Sequence, residues 1–301
     1  MQDLTAEILE LKKSTGAVIF AHNYVAAEIQ DIADFVGDSL ELSLKARDCK
    51  AELILFCGVS FMAETAKILS PGSTVLLPVP DAGCPMADMA PAEEVKMMRS
   101  ENPDAVFVAY VNTTAATKAC VDICCTSANA EKIVSSLPSD KKVLFLPDRN
   151  LGRNVSETVE REYKFWDGCC PIHDKITCDM ILAAKAAHPG CPVIIHPECR
   201  PEVVKCADYA ASTGKMLSII RNDNAEGFVI ATEEGIIHRM KKEFPDRKFY
   251  ALTPCVICED MKKITLESVR DALKFKQHEV KLDAATIENA RLPIERMLDV
   301  K

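Results

Sequence analysis

The sequence contains no apolar stretch approaching the ~18 residues of a membrane-spanning helix, no run of Lys or Arg, and no basic residues interleaved with aromatics. The first absence excludes a helical membrane anchor. The other two, with a net charge of −9 from 36 Lys+Arg against 45 Asp+Glu, exclude nucleic acids and anionic membranes as partners. Low-complexity tracts and flexible linkers are also missing. The first ten residues are acidic and patterned like a helix rather than a signal or transit peptide. The expectation is a cytoplasmic protein.

What is present is an ordinary globular composition, 48% hydrophobic and 27% charged over 301 residues, long enough to bury a large core without staples. Fourteen cysteines stand out. In a reducing compartment thiols stay free and serve metals or catalysis more often than disulfides. Cys57, Cys120, Cys124, Cys191 and Cys206 lie in apolar or helical runs and read as small buried hydrophobes.

The chain repeats itself three times. The apolar runs 17–22, 106–110 and 192–196 end in His22, Tyr110 and His196. Twelve residues after each end stands Asp34, Asp122 or Asp208, and seventeen after it Ser39, Ser127 or Thr213. Two further apolar runs follow in each copy, and then a cysteine: Cys84, Cys170 and Cys258 lie 62, 60 and 62 residues beyond the first marks. Six residues after each cysteine, at Ala90-Pro91, Ile176-Thr177 and Ile264-Thr265, a helical pattern opens with Thr or Pro suited to its start.

Short runs apolar on both faces, alternating with helical stretches such as 40–46, 61–69, 130–137 and 236–243, predict parallel sheets covered on both sides. The fold class is α/β: three similar α/β/α sandwich domains related by pseudo-threefold symmetry around a central site. The expected boundaries are 1–86, 87–172 and 173–260, with 261–301 packing back on the first. In such sheets binding residues gather outside the carboxyl ends of the strands. The repeat therefore aims His22, Tyr110 and His196, the three hydroxyls and the three cysteines at one cavity. The hydroxyls read as capping residues of strand-to-helix turns, and the helix ends beside them as seats for carboxylate or phosphate. The aspartates fall at the opposite end and read as structural turn or cap residues. His173, His188, His238 and His278 occupy no repeated position and read as incidental. Three equivalent thiolates leave one coordination position open, as on a [4Fe–4S] cluster with one free iron. A closed zinc site completed by Cys169 or Cys255 is the competing reading.

His22-Asn23-Tyr24, Gly37-Asp38-Ser39, Cys84-Pro85-Met86, Tyr110-Val111-Asn112, Thr126-Ser127-Ala128-Asn129, the segment Pro147 to Gly152, Cys170-Pro171-Ile172-His173, His196-Pro197-Glu198-Cys199, Ser212-Thr213-Gly214 and Met261-Lys262-Lys263 occur in this order. Together they resemble the quinolinate synthase family. The resemblance implies an oxygen-sensitive [4Fe–4S] cluster on Cys84, Cys170 and Cys258, and condensation of iminoaspartate with dihydroxyacetone phosphate to quinolinate in NAD biosynthesis. Iminoaspartate would come from an L-aspartate oxidase or dehydrogenase. Substrate contacts would be His22, Ser39, Tyr110, Val111, Asn112, Ser127, His196, Pro197, Glu198, Ser212 and Thr213. Proton transfer would fall to Tyr24, Tyr110, His196 and Glu198, with Tyr24 closing near the open iron. Cys255 reads as an unremarkable thiol, although a disulfide with Cys258 is conceivable on oxidation.

Overall fold

A computed structural model describes residues 4–300. The chain runs α1 (Leu4–Thr15), β1 (Val18–His22), α2 (Ala27–Ile32), β2 (Phe35–Gly37), α3 (Ser39–Asp48), β3 (Leu53–Cys57), α4 (Ser60–Leu69) and β4 (Thr74–Leu76). After the short α5 (Pro85–Asp88) the order recurs: α6 (Ala92–Glu101), β5 (Val106–Tyr110), α7 (Ala115–Lys118), β6 (Ile123–Cys125), α8 (Ala130–Ser136), β7 (Val143–Leu146), α9 (Arg149–Ser156) and β8 (Tyr163–Phe165). It recurs once more: α10 (Cys178–Ala187), β9 (Val193–Ile195), α11 (Pro201–Val204), β10 (Tyr209–Ala210), α12 (Thr213–Asn222), β11 (Gly227–Ala231), α13 (Ile236–Glu243) and β12 (Lys248–Ala251). Three helices, α14 (Glu259–Lys262), α15 (Leu266–Phe275) and α16 (Ala284–Asp299), end the described chain.

The three sheets have the same topology, β2-β1-β3-β4, β6-β5-β7-β8 and β10-β9-β11-β12, and every strand pair in them is parallel. Burial explains the composition of the strands. All five residues of β3 (Leu-Ile-Leu-Phe-Cys) and of β11 (Gly-Phe-Val-Ile-Ala) are buried, so neither face has room for polar alternation. One apolar core runs continuously through the first two sheets, while the third sheet carries a separate cluster on each face. The helices expected after the cysteines are α6, α10 and α15. Pro91 precedes the first, and Thr177 and Thr265 cap the other two by accepting from Met180 N–H and Ser268 N–H.

The repeated aspartates do structural work of a different kind from the turn or cap bonds expected. Asp34, Asp122 and Asp208 each sit just before the second strand of their sheet. Their Oδ2 atoms accept from the backbone N–H of Ile19, Phe107 and Val193 at 2.8, 2.7 and 2.8 Å. Their own N–H groups donate to the carbonyls of those same residues. Each aspartate therefore latches the second strand to the first at the amino-terminal edge of the sheet. The other carboxylate oxygen of Asp34 and Asp208 takes an outer lysine, Lys12 and Lys185, while Asp122 shares Oδ2 with Arg99.

The tail lies on more than the first repeat. Helix α15 packs on α1 and β3, and Val280 N–H donates to Val75 O along the free edge of β4. Helix α16, however, packs on α7 and β6 of the second repeat as well as on α4. The expectation of a free, buried Cys206 is also corrected: Cys206 is disulfide-bonded to Cys178 at the start of α10.

Removing one latch leaves a backbone N–H inside the sheet edge without its partner. Asp122→Ala is expected to lower unfolding free energy by about 1–3 kcal/mol, with Asp34→Ala and Asp208→Ala similar. Urea titration checks this, and an unchanged midpoint in all three variants contradicts the latch.

Candidate active site at the carboxyl edges of the three sheets

Parallel pairing sends the carboxyl ends of all four strands to one edge of each sheet, and the three edges face one another. A cavity of about 140 Å³ opens between them. His22 closes β1, Tyr110 closes β5, and His196 follows β9. All three line the cavity, with Tyr24, Asn112 and Glu198 from the same loops. Ser39, Ser127 and Thr213 line it from the ends of the second strands, and Cys84, Cys170 and Cys258 from beyond the fourth. Three sequence-predicted contacts lie off this lining. Val111 is buried behind Tyr110, Pro197 turns its carbonyl to Asn154 Nδ2 at 2.8 Å, and Ser212 caps α12 by accepting from Lys215 N–H.

The hydroxyls in the cavity are not the caps the sequence suggested. Asp38 caps α3, accepting from Leu40 and Glu41 N–H, and Ser212 caps α12. Ser39 and Thr213 are therefore the first helical residues and keep their hydroxyls for the cavity. Thr213 Oγ1 accepts from Asn23 Nδ2 at 2.9 Å, which leaves its own proton to donate. Ser127 lies in the turn before α8, where Asn129 Oδ1 instead accepts from Thr126 N–H.

The two histidines are held alike. The Nδ1 of His22 accepts from Tyr24 N–H at 3.2 Å, and that of His196 accepts from Glu198 N–H at 3.3 Å. An accepting Nδ1 places the proton of each neutral ring on Nε2. Burial keeps both rings neutral, pulling His22 down to about 3 and His196 to about 4. Both are N–H donors suited to an anionic oxygen, with no buried charge of their own.

At the centre is a short relay. Tyr110 Oη donates to Glu198 Oε1 at 2.5 Å, and His173 Nδ1 lies 2.7 Å from Glu198 Oε2. Burial opposes ionisation of Glu198, but the positive charge that His196 gains only in acid, the His173 ring and the hydrogen bonds from His173 and Tyr110 hold its carboxyl well below the usual range. Burial, and then the Glu198 charge, push Tyr110 and Tyr24 well above the ordinary phenol value, so both hydroxyls keep their protons. Tyr24 Oη bonds Thr232 Oγ1 at 2.6 Å, and its ring meets His22 edge-on at 4.7 Å. Asn112 Oδ1 is buried without a hydrogen-bond partner among the described residues, an acceptor awaiting an N–H or O–H from a ligand.

Two residues were missed. His173, read as incidental, is buried and touches Glu198, Cys170 Sγ at 3.2 Å and Thr232 Oγ1 at 2.8 Å. It stands three residues after Cys170, where the other copies have Ala87 and Met261, so the repeat could not mark it. Glu233 lines the cavity fully buried, paired with Lys262 at 2.7 Å. A signal for it existed: it lies two residues past β11, on the same edge as the marks that were read.

The cysteines fit an iron–sulfur group. Cys84, Cys170 and Cys258 are free thiols, one from each repeat, that line the cavity, whereas Cys169 and Cys255 are not among its lining. Burial pushes the Cys84 thiol up to about 12 and raises those of Cys170 and Cys258. These thiols give up their protons only to a cation that replaces them.

Fold and site together define a three-repeat α/β protein with a cavity lined by one cysteine from each repeat. The profile of the family described as quinolinate synthetase A protein (NadA) matches residues 6–299. The chain is 49% identical over 295 residues to the quinolinate synthase of Methanoregula boonei, covering 98% of this chain and 97% of that protein. It is 48% identical over 301 residues to that of Caldicellulosiruptor saccharolyticus (100% and 99%), and 49% over 296 residues to that of Desulforudis audaxviator (98% and 98%). The chain belongs to the NadA family of quinolinate synthases, for which an iron–sulfur cofactor is implied. No helix among the described residues is long and apolar enough to cross a membrane.

The neutral histidines predict an acid limb of stability. Unfolded imidazoles protonate below about pH 6.5, whereas folded His22 and His196 wait until about 3 and 4. Between those values the unfolded state binds more protons, so stability falls as pH drops. Urea unfolding at stepped pH should show a shallower fall for His22→Gln than for the parent. An identical slope contradicts the neutral assignment.

Proposed function

We propose that this chain condenses iminoaspartate with dihydroxyacetone phosphate to quinolinate, releasing phosphate and water, as the ring-forming step of NAD biosynthesis in the cytoplasm. An L-aspartate oxidase or dehydrogenase would supply the imine. The observation that carries the reading is the meeting of three cysteines, one from each repeat, with the Tyr110–Glu198–His173 relay in one cavity.

Cys84, Cys170 and Cys258 would hold a [4Fe–4S] cluster. When bound, that cluster supplies a Lewis-acidic iron at the cavity wall. The remaining work belongs to the chain. The Nε2–H groups of His22 and His196 and the hydroxyls of Ser39, Ser127 and Thr213 donate to substrate carboxylates and phosphate, offsetting the overall negative charge where it matters. Asn112 Oδ1 accepts from the substrate N–H or hydroxyl and fixes its rotation. Glu198, ionised, takes a proton from substrate carbon or nitrogen. Tyr110 Oη, bonded to that carboxylate, returns one to a departing hydroxyl. Tyr24, tethered to Thr232, lines the cavity and would help keep water from reactive imine and enamine species.

A second reading has its own observation. One ligand atom each of Cys170, His173 and Glu198 lie within 4.8 Å of one another, a set able to hold a single divalent cation such as zinc. Metal analysis of anaerobically purified protein separates the two. About four irons and four sulfides per chain, with quinolinate formed from the two substrates, support the cluster reading. Stoichiometric zinc without sulfide, persisting after anaerobic reconstitution, overturns it. In the same protein Tyr110→Phe is expected to retain its iron and lose turnover by about 10²- to 10⁴-fold. Steady-state assay checks this, and parent-like turnover removes Tyr110 from the relay.

A further inference from the structure

Lys118 is the last residue of α7 and its side chain is fully buried, 0% exposed. Its Nζ donates to the carbonyl of Thr113 and lies 5.3 Å from the centroid of the Phe61 ring. A buried amine with one carbonyl and one ring face is a costly prop, since a methionine would fill the space with no desolvation. Lys118 does not line the cavity, and the relay does not use it.

The internal repeat gives the comparison. Lys118 stands eight residues after Tyr110, and Gln30 stands eight after His22. Gln30 is also buried, and its Nε2 donates to the carbonyls of Asn23 and Val25 at 3.1 and 3.0 Å and to Gly235 O at 2.9 Å. Val25 and Thr113 occupy the same place, three residues after the strand end. Two different side chains at one repeated position thus grip the same carbonyl. In the third copy the position is Val204, which has no donor. There the corresponding carbonyl, Cys199 O, is taken by Asn154 Nδ2 at 2.8 Å, reaching over from α9. Every copy has a side-chain N–H donor on that carbonyl, although the residue supplying it differs.

We propose that Lys118 and Gln30 are positioning residues that clamp the site loops after β5 and β1, fixing Tyr110 and Asn112 in one case and His22 and Tyr24 in the other. What Lys118 contributes is the hydrogen bond to Thr113 O, held although burial pulls its amine down to about 8. With the Thr113 carbonyl held, Asn112 has one orientation and its unpartnered Oδ1 stays aimed into the cavity. The inference rests on the proposed reaction only for its kinetic readout.

The test compares Lys118→Met with Lys118→Gln in the anaerobically purified holoenzyme. Methionine keeps the bulk and removes the donor; glutamine keeps a donor, as position 30 already does. Lys118→Met is expected to lower kcat about 10- to 100-fold, with KM for both substrates within about threefold, iron content unchanged and thermal midpoint unchanged or raised. Lys118→Gln should stay within about threefold of the parent. Amide hydrogen exchange across residues 110–114 should quicken in the methionine variant and not in the glutamine one. That readout stands even if the parent makes no quinolinate, so failure of the clamp and failure of the reaction assignment are distinguishable. Parent-like kcat and exchange in Lys118→Met overturn the proposal. Equal loss in both variants also overturns it, since charge would then be what the loop requires. If Lys118→Met does not fold, Gln30→Met carries the same comparison on the first loop, and an unchanged kcat there is equally fatal.

Discussion

Parallel strand pairing is the constraint on which everything else in this molecule depends. A parallel sheet has one edge where all its strands end, and only there do the loops leave the sheet together. Three such edges turned inward create a cavity that no single repeat could enclose. The backbone latches of Asp34, Asp122 and Asp208 act at the opposite edge, tying the second strand to the first and so fixing which residues emerge at the cavity. A slip in register would turn side chains to the wrong face. The proposed cluster ligands carry the dependence further, because each repeat supplies one cysteine and none holds a complete set.

Against this near-symmetric frame the chemistry lies in the departures. The first strands end in His, Tyr and His, and of these the tyrosine donates a hydrogen bond to a carboxylate, Glu198 of the third repeat. Two residues past the third strands stand Val59, Asp148 and Glu233. The first is apolar, the second caps α9, and the third lines the cavity against Lys262. Three residues past the cysteines, Ala87 and Met261 are apolar packing, while His173 bonds Glu198. Symmetry builds the cavity and its loss assigns roles within it.

Much of this was legible in the sequence. The strand ends, the hydroxyls and the cysteines recur at fixed intervals because each copy repeats the same strand–helix geometry, and the cavity gathers them. The fold class followed from runs apolar on both faces. The rest was hidden for definite reasons. His173 breaks the repeat, so periodicity carried no mark for its role, and Glu233 stands past a strand end at which no mark was repeated. The caps were assigned one residue off at Ser39 and Thr213, because Asp38-Ser39 and Ser212-Thr213 each offer two capping side chains in a row and only backbone geometry chooses. Val111, Pro197 and Ser212 stand beside residues that line the cavity but turn away from it. Lys118 and Gln30 differ in charge and shape and share only an N–H donor, and the common carbonyl shows their equivalence.

The account stands on one claim above the others, that a single iron–sulfur group is held by one cysteine from each repeat. The most direct measurement is bound iron and sulfide in five single variants, Cys84→Ser, Cys170→Ser, Cys258→Ser, Cys169→Ser and Cys255→Ser, purified anaerobically beside the parent. The account predicts loss of the group in the first three and retention in the last two, since Cys169 and the exposed Cys255 do not line the cavity. Full iron in any of the first three, or its loss in Cys255→Ser, would contradict it.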